Sequence, residues 1–123
     1  MIGIGTDLVD LDRFRAALER TPGLKRRCFT ADEQAYAERR DDPVERYAAR
    51  FAAKEAVMKA MGTGMAGASF REIRIRHQDS GQPFVELLGA TRKRAQSMGI
   101  GAWHLSITHT RKTAAAVAIA LPS

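Results

Sequence analysis

The segment RFAAKEAVMKAMGTG, residues 50 to 64, constrains the fold more than any other. Ala52, Ala53, Ala56, Met58, Ala60 and Met61 are strong helix formers, and Gly62 stands where a C-terminal cap belongs. At about 100° per residue, Phe51, Val57, Met58 and Met61 cover an arc that also holds Arg50 and Lys54. Ala52, Ala53, Ala56 and Ala60 form a second stripe, small enough for close packing, and Glu55 and Lys59 share what remains. A helix with so little polar surface is expected to be largely buried. Its charges then need partners, because an unpaired buried charge is very costly. Glu55 and Lys59 can form an ordinary i,i+4 pair, while Arg50 and Lys54 either reach water or repel each other. An anion held between Arg50 and Lys54 would resolve that repulsion.

The remaining pattern supplies the covering elements. Residues 2 to 6 read as a short buried strand with glycines at 3 and 5. Residues 8 to 20 read as a helix with Leu8, Leu11, Phe14 and Leu18 at helical spacing, stopped by Thr21-Pro22-Gly23. Thr30 with Glu33 three positions on is a capping box opening a helix over 31 to 40. Asp41-Asp42-Pro43 breaks the chain before the long helix. In RIRHQDSGQPFVELLG, alternating Ile73 and Ile75, a turn at 79 to 82 and a return over 84 to 88 make a hairpin. A helix over 90 to 98 precedes two strands, 102 to 108 and 114 to 121, joined by HTRKT. The pattern is α+β: an antiparallel sheet with packed helices, in one domain over 1 to 123.

Charge and composition narrow the function. The formal net charge is +6, and Arg13, Arg15, Arg20, Lys25, Arg26 and Arg27 stand against the single acid Glu19. An anionic partner is expected. Nucleic acid is poorly supported, since only Phe14 and Phe29 lie near the patch and no helix-turn-helix, zinc-finger or RNP-type motif is present. A membrane is not expected either, for no run approaches the roughly 20 apolar residues that span one. Met1 leads directly into IGIGTDLVD without a signal-peptide pattern, so a cytoplasmic location is the default expectation. Cys28 is the only cysteine, which excludes an internal disulfide and points to a structural role.

Asp7, placed by this reading at the end of the first strand, either caps the following helix or projects into a cleft. Together with Glu55 it offers two hard oxygen donors, and Mg²⁺ completes its octahedron with water and phosphate oxygens around such a pair. Mn²⁺ suits the same ligands. Arg50, Lys54, Lys59 and the backbone N–H groups of Gly62, Thr63 and Gly64 are placed to hold phosphates. On the strand AWHLSITHT, His104, Ser106 and Thr108 share one face, either a polar cleft or a solvated surface. The Ser/His pair lacks the geometry and the nucleophile elbow of a hydrolase triad. Three classes therefore stand side by side: a transferase acting on a phosphorylated ligand, a basic nucleic-acid-binding module, and a non-catalytic domain that binds such a ligand.

GIGTDLVDLDRF, RFAAKEAVMKAMGTG and WHLSITHT, in this order and spacing, resemble the holo-acyl-carrier-protein synthases, the small bacterial 4′-phosphopantetheinyl transferases; SGQPFVEL resembles their hairpin. The resemblance implies a 4′-phosphopantetheinyl transferase-like fold and transfer of the phosphopantetheine arm of coenzyme A to a serine of an acyl carrier protein, releasing adenosine 3′,5′-bisphosphate. It implies Mg²⁺ on Asp7 and Glu55, Lys59 on the pyrophosphate, and Arg50 and His104 near the adenosine 3′-phosphate. Gly62 to Gly64 would pass close to the coenzyme. The serine proton would leave to Glu55 or to a water on the metal. Arg13 and Arg20 would meet the acidic carrier protein, and a homotrimer would build each active site between two subunits. Lys54 and His109 fall on motif positions without an assigned role, and RRDDPVERY, before the middle block, matches no motif.

Overall fold

The computed structural model describes residues 1–64 and 69–123. In chain order the elements are β1 (Gly3–Asp10), α1 (Leu11–Arg20), α2 (Leu24–Cys28), α3 (Ala31–Ala37), α4 (Val44–Met61), a 3-10 turn (Phe70–Glu72), β2 (Ile73–His77), β3 (Pro83–Leu87), α5 (Gly89–Ser97), β4 (Ile100–His109) and β5 (Thr113–Pro122). β1, β5 and β4 form an antiparallel sheet in that spatial order, and β2 and β3 form a separate hairpin.

Helix α4 lies between these layers, touching β1, β5 and β4 on one side and α1, α3 and β2 on the other. This accounts for its apolar circumference. On the sheet side, its alanine stripe meets an equally small surface, since Ala114, Ala116, Ala118 and Ala120 of β5 alternate inward and are buried. On the other side, Tyr47, Val57 and Met58 meet a core that includes Phe29, Ile73 and Ile75. Burying each such large side chain contributes about 1.5–3 kcal/mol.

The chain departs from the sequence reading at its start. The first strand does not stop at residue 6: β1 pairs with β5 continuously from Gly3↔Ala120 to Asp10↔Thr113. The helix begins only at Leu11, and its N-cap is Asp10, whose Oδ2 accepts the Arg13 N–H at 3.0 Å. Leu8, assigned above to the helical apolar row, instead points outward from the sheet and is 72% exposed. Asp7 is therefore an inward residue of mid-strand, neither a strand end nor a cap. The capping box of α3 forms as read, with Thr30 and Glu33 bonding each other's backbone, but the helix ends at Ala37 rather than 40. Lys25, Arg26 and Arg27 sit in the short helix α2, an element absent from the sequence reading.

Candidate functional site

The glycines of β1 bring α4 close enough to make a site. A Cβ on Gly5 would lie 2.0 Å from the Ala56 carbonyl oxygen, and one on Gly3 would lie 2.0 Å from that of Ala60. Only glycine on the strand tolerates that approach, since an added carbon would meet helix backbone. The next inward residue of the strand is Asp7, and the helix presents Glu55 and Lys59 to it. Lys59 Nζ donates to Asp7 Oδ1 at 3.1 Å and to the Thr6 carbonyl oxygen at 3.0 Å. The Asp7 side chain is only 15% exposed, whereas that of Lys59 is 54% exposed. Lys59 thus reaches across to the strand and pairs with Asp7, not with Glu55. The Glu55 carboxyl is raised above the ordinary carboxylate range, first by burial and then by the charge of Asp7, with Lys59 opposing.

A cleft of about 550 Å³ opens beside these groups, lined by Asp7, Asp10, Arg13, Phe14, Arg20 and Glu55 among others. The two carboxylates read as a metal pair and the two arginines read as partner contacts therefore share one cleft. Among the described residues no group of three or more His, Cys, Asp and Glu side chains could by itself hold a metal. A pair of carboxylates at an open cleft still suits a hard cation that keeps water and phosphate ligands. The donor chemistry agrees, because the position between Thr6 O and Asp7 Oδ1 is already taken by the lysine ammonium, itself a cation.

Lys54 is corrected. Read as a ligand contact, it is fully buried, and its Nζ donates to Glu33 Oε1 at 2.6 Å, the Cys28 carbonyl at 2.7 Å and the Phe70 carbonyl at 2.8 Å. An ammonium has three donors, so none remains for a phosphate, and no anion between Arg50 and Lys54 is needed. Glu33 completes the cluster by accepting the Ile75 N–H on its other oxygen at 2.8 Å. Gly62 is corrected in part: its N–H closes α4 on the Met58 and Lys59 carbonyls at 3.0 Å, so it is not a free donor. Its φ of 70° and that of Gly64, 52°, are left-handed, which suits glycine at both positions. Thr63 lies between them with its hydroxyl turned to the Gly64 carbonyl.

Arg50 lies elsewhere on the same helix, 4% exposed, toward α3 and the hairpin. Its guanidinium sits 4.2 Å from the Tyr36 ring centroid, donates to the Arg46 carbonyl and lies 3.0 Å from His77 Nε2. His77 stacks on the same Tyr36 ring, and its imidazole is lowered by burial and then by Arg50 and Arg46, which favours the neutral form. A cleft of about 230 Å³ there gathers Arg40, Arg46, Arg50, His77, Pro83 and His109. His109 also stands 3.5 Å from Glu45. RRDDPVERY forms part of this wall. No motif or local spacing singles out Tyr36 or His77; their role follows from α3 and β2 converging on one turn of α4.

His104 stands on the opposite, outer face of the sheet. The register aligns it with Ile119 and Ile4, Ser106 with Val117 and Thr6, and Thr108 with Ala115 and Leu8. The polar row is therefore one edge of an outer face whose other strands are largely apolar, and His104 does not share a cleft with Asp7 or Glu55 in one chain. The basic patch is also partly neutralised: Arg15 makes a bidentate pair with Asp42, and Lys25 pairs with Glu38. That leaves less free charge for a polyanion than the sequence count implied.

Comparison with known proteins gives the family and the fold. The family model of the 4′-phosphopantetheinyl transferase superfamily matches residues 3–119. A holo-[acyl-carrier-protein] synthase of Micrococcus luteus is 47% identical over 122 residues, covering 98% of this chain and 91% of its own length. The crystal structure of the holo-[acyl-carrier-protein] synthase of Neisseria meningitidis is 38% identical and superposes with a TM-score of 0.91 over 98% of this chain and 99% of that one. The Bacillus anthracis synthase, solved in complex with coenzyme A (3′,5′-ADP), is 32% identical with a TM-score of 0.83 over 99% and 97%. This chain belongs to the 4′-phosphopantetheinyl transferase superfamily and, within it, to the holo-acyl-carrier-protein synthases.

Proposed function

We propose that this chain transfers the 4′-phosphopantetheine group of coenzyme A to a serine of apo-acyl carrier protein in a Mg²⁺-dependent reaction centred on Asp7 and Glu55. Family membership supports the reaction, and the observation that carries its placement is the single cleft shared by Asp7, Glu55, Arg13 and Arg20. The serine oxygen attacks the phosphorus bearing the pantetheine arm. The bond from that phosphorus to the bridging oxygen breaks, and adenosine 3′,5′-bisphosphate leaves with the bridging oxygen.

Asp7 and Glu55 would hold Mg²⁺, or Mn²⁺ in its place, and a bound divalent ion supplies neutralisation of the charge spread over the pyrophosphate. Lys59, exposed at the mouth of the same site, adds a positive charge for the leaving oxygen. While no ion is bound, burial raises the Glu55 carboxyl, and Glu55 or a water beside it would take the serine proton. Arg13 and Arg20 on the rim favour an acidic carrier and hasten encounter, an effect that salt weakens.

The same reading gives Arg50 and His104 to the adenosine 3′-phosphate, and Thr63 and Gly64 to the passing coenzyme. One chain alone sets Arg50 and His104 on opposite sides of the sheet. A homotrimer whose active sites lie between subunits reconciles them, and the apolar outer sheet face supports it. A cytoplasmic location belongs to the same reading; among the described residues no helix is long and apolar enough to cross a membrane.

Intact mass of an apo-acyl carrier protein after incubation with this protein, coenzyme A and Mg²⁺ tests the reading. The carrier should gain the mass of one phosphopantetheine arm, EDTA should abolish the gain, and Glu55→Gln should abolish it with the fold retained. Full transfer by Glu55→Gln would overturn the metal assignment; no transfer to any fatty-acid or polyketide carrier would overturn the activity.

A further inference from the structure

β1 is an edge strand, paired with β5 on one side only. The Thr6 carbonyl oxygen and Asp7 Oδ1 converge on one point, and Lys59 Nζ occupies it at 3.0 and 3.1 Å. Asp7 is largely buried at this point, while the Lys59 stem is more than half exposed. A flexible four-carbon arm anchored only at its tip can leave without disturbing the helix or the strand. Two cations on one carboxylate repel each other, so a divalent ion on Asp7 weakens the hold of the Lys59 ammonium there, and the ammonium weakens that of the ion.

We propose that Lys59 is a built-in counter-cation for Asp7, which an arriving divalent cation displaces, and that this exchange frees the ammonium for the pyrophosphate of coenzyme A. The inference rests on the Asp7–Glu55 metal reading and deepens it. Lys59 has two successive partners, Asp7 before the ion arrives and phosphate after. The ion and the coenzyme then favour each other's binding through this one side chain as well as through direct contact. Lys59 also keeps the buried Asp7 charge compensated while no ion is bound, at the cost of competing with that ion.

Direct Mn²⁺ binding, measured by electron paramagnetic resonance on the full chain without coenzyme A, tests the exchange. Lys59→Met and Lys59→Gln should both bind Mn²⁺ about fivefold more tightly than the wild type, the size expected for removing one partly exposed competing ion pair. Arg13→Met, which removes an equal charge from the same cleft without touching Asp7, should alter the affinity by less than about twofold. Asp7→Asn should weaken binding in every background. Unchanged or weaker binding in both Lys59 variants would overturn the exchange, as would equal tightening by Arg13→Met, which would reduce the effect to the general field of the cleft. Absence of Mn²⁺ binding in both the wild type and Lys59→Met would overturn the metal reading itself, and the exchange with it.

Discussion

At the scale of single residues, the buried pair Lys54–Glu33 shows how far a sequence argument carries. A charged residue on a helix buried all round demands a partner, and that much was readable from the residue pattern. The partner is a glutamate 21 positions earlier in the chain, and that separation leaves no local signal. The capping box around Glu33 was readable, but its second duty was not, because one carboxylate serves Thr30, Lys54 and Ile75 together. By contrast Asp7 and Glu55 were paired in the sequence reading by the chemistry of two hard carboxylates. Lys59 was read there as a partner of Glu55 or of phosphate, and its bond to Asp7 joins residues 52 positions apart. Removing only Lys54 would strand a buried carboxylate. Lys54→Met should therefore cost about 3–5 kcal/mol, read by urea denaturation, even though methionine matches the volume. The Thr30 and Ile75 N–H groups would still solvate Glu33 in part, which places the loss toward the lower end. A cost below about 1 kcal/mol would mean that the carboxylate takes up a proton or finds water, and would remove the pair from the account of stability.

At the scale of elements, the sites depend on how closely β1 and α4 approach. The helix and both hairpin strands were readable from periodicity and glycine punctuation, and so were β4 and β5. The boundary between β1 and α1 was not. LVDLD carries leucines at a spacing that fits either a strand with one face outward or the start of a helix. Pairing with β5 along the whole strand decides it, and that pairing is non-local. The reading of glycines 3 and 5 as mere features of a short strand also missed their purpose, which is clearance for the Ala56 and Ala60 carbonyls. Gly5→Ala tests this. The added methyl meets backbone rather than a movable side chain, so strand and helix must part. The loss of stability should lie at the upper end of the roughly 1–3 kcal/mol usual for overpacking. Transfer activity should fall further than stability explains, since Asp7 moves away from Glu55. A Gly5→Ala variant with wild-type stability and wild-type Mg²⁺ dependence would show that the close approach is dispensable.

At the scale of the whole molecule, the open tension is the outer face of the three-stranded sheet. Its inner face is complete, with β5 alanines against α4 alanines. Its outer face carries Ile4 at 55%, Leu8 at 72% and Val117 at 37% exposure, with Ile2 and Met1 beside them. Isolated exposed apolar residues are ordinary, but here two neighbouring strands, β1 and β5, contribute to one continuous face, which suits an interaction surface. His104, Ser106 and Thr108 border that face, so whatever covers it brings its own side chains to them. Burying each of these aliphatic side chains is worth about 1.5–3 kcal/mol, enough in combination to hold copies of the chain together. If those copies are the trimer proposed above, the wild type should elute and scatter light as a trimer. Leu8→Glu with Val117→Lys should shift it to monomer, because both substitutions place charge in the contact and neither touches the α4 side of the sheet. The monomer should retain Mn²⁺ binding, since Asp7 and Glu55 come from one chain. It should lose coenzyme A affinity, since His104 and Arg50 can reach one ligand only across two chains. A wild-type monomer with full transfer activity would remove the inter-subunit site and leave Arg50 and His104 without a shared ligand.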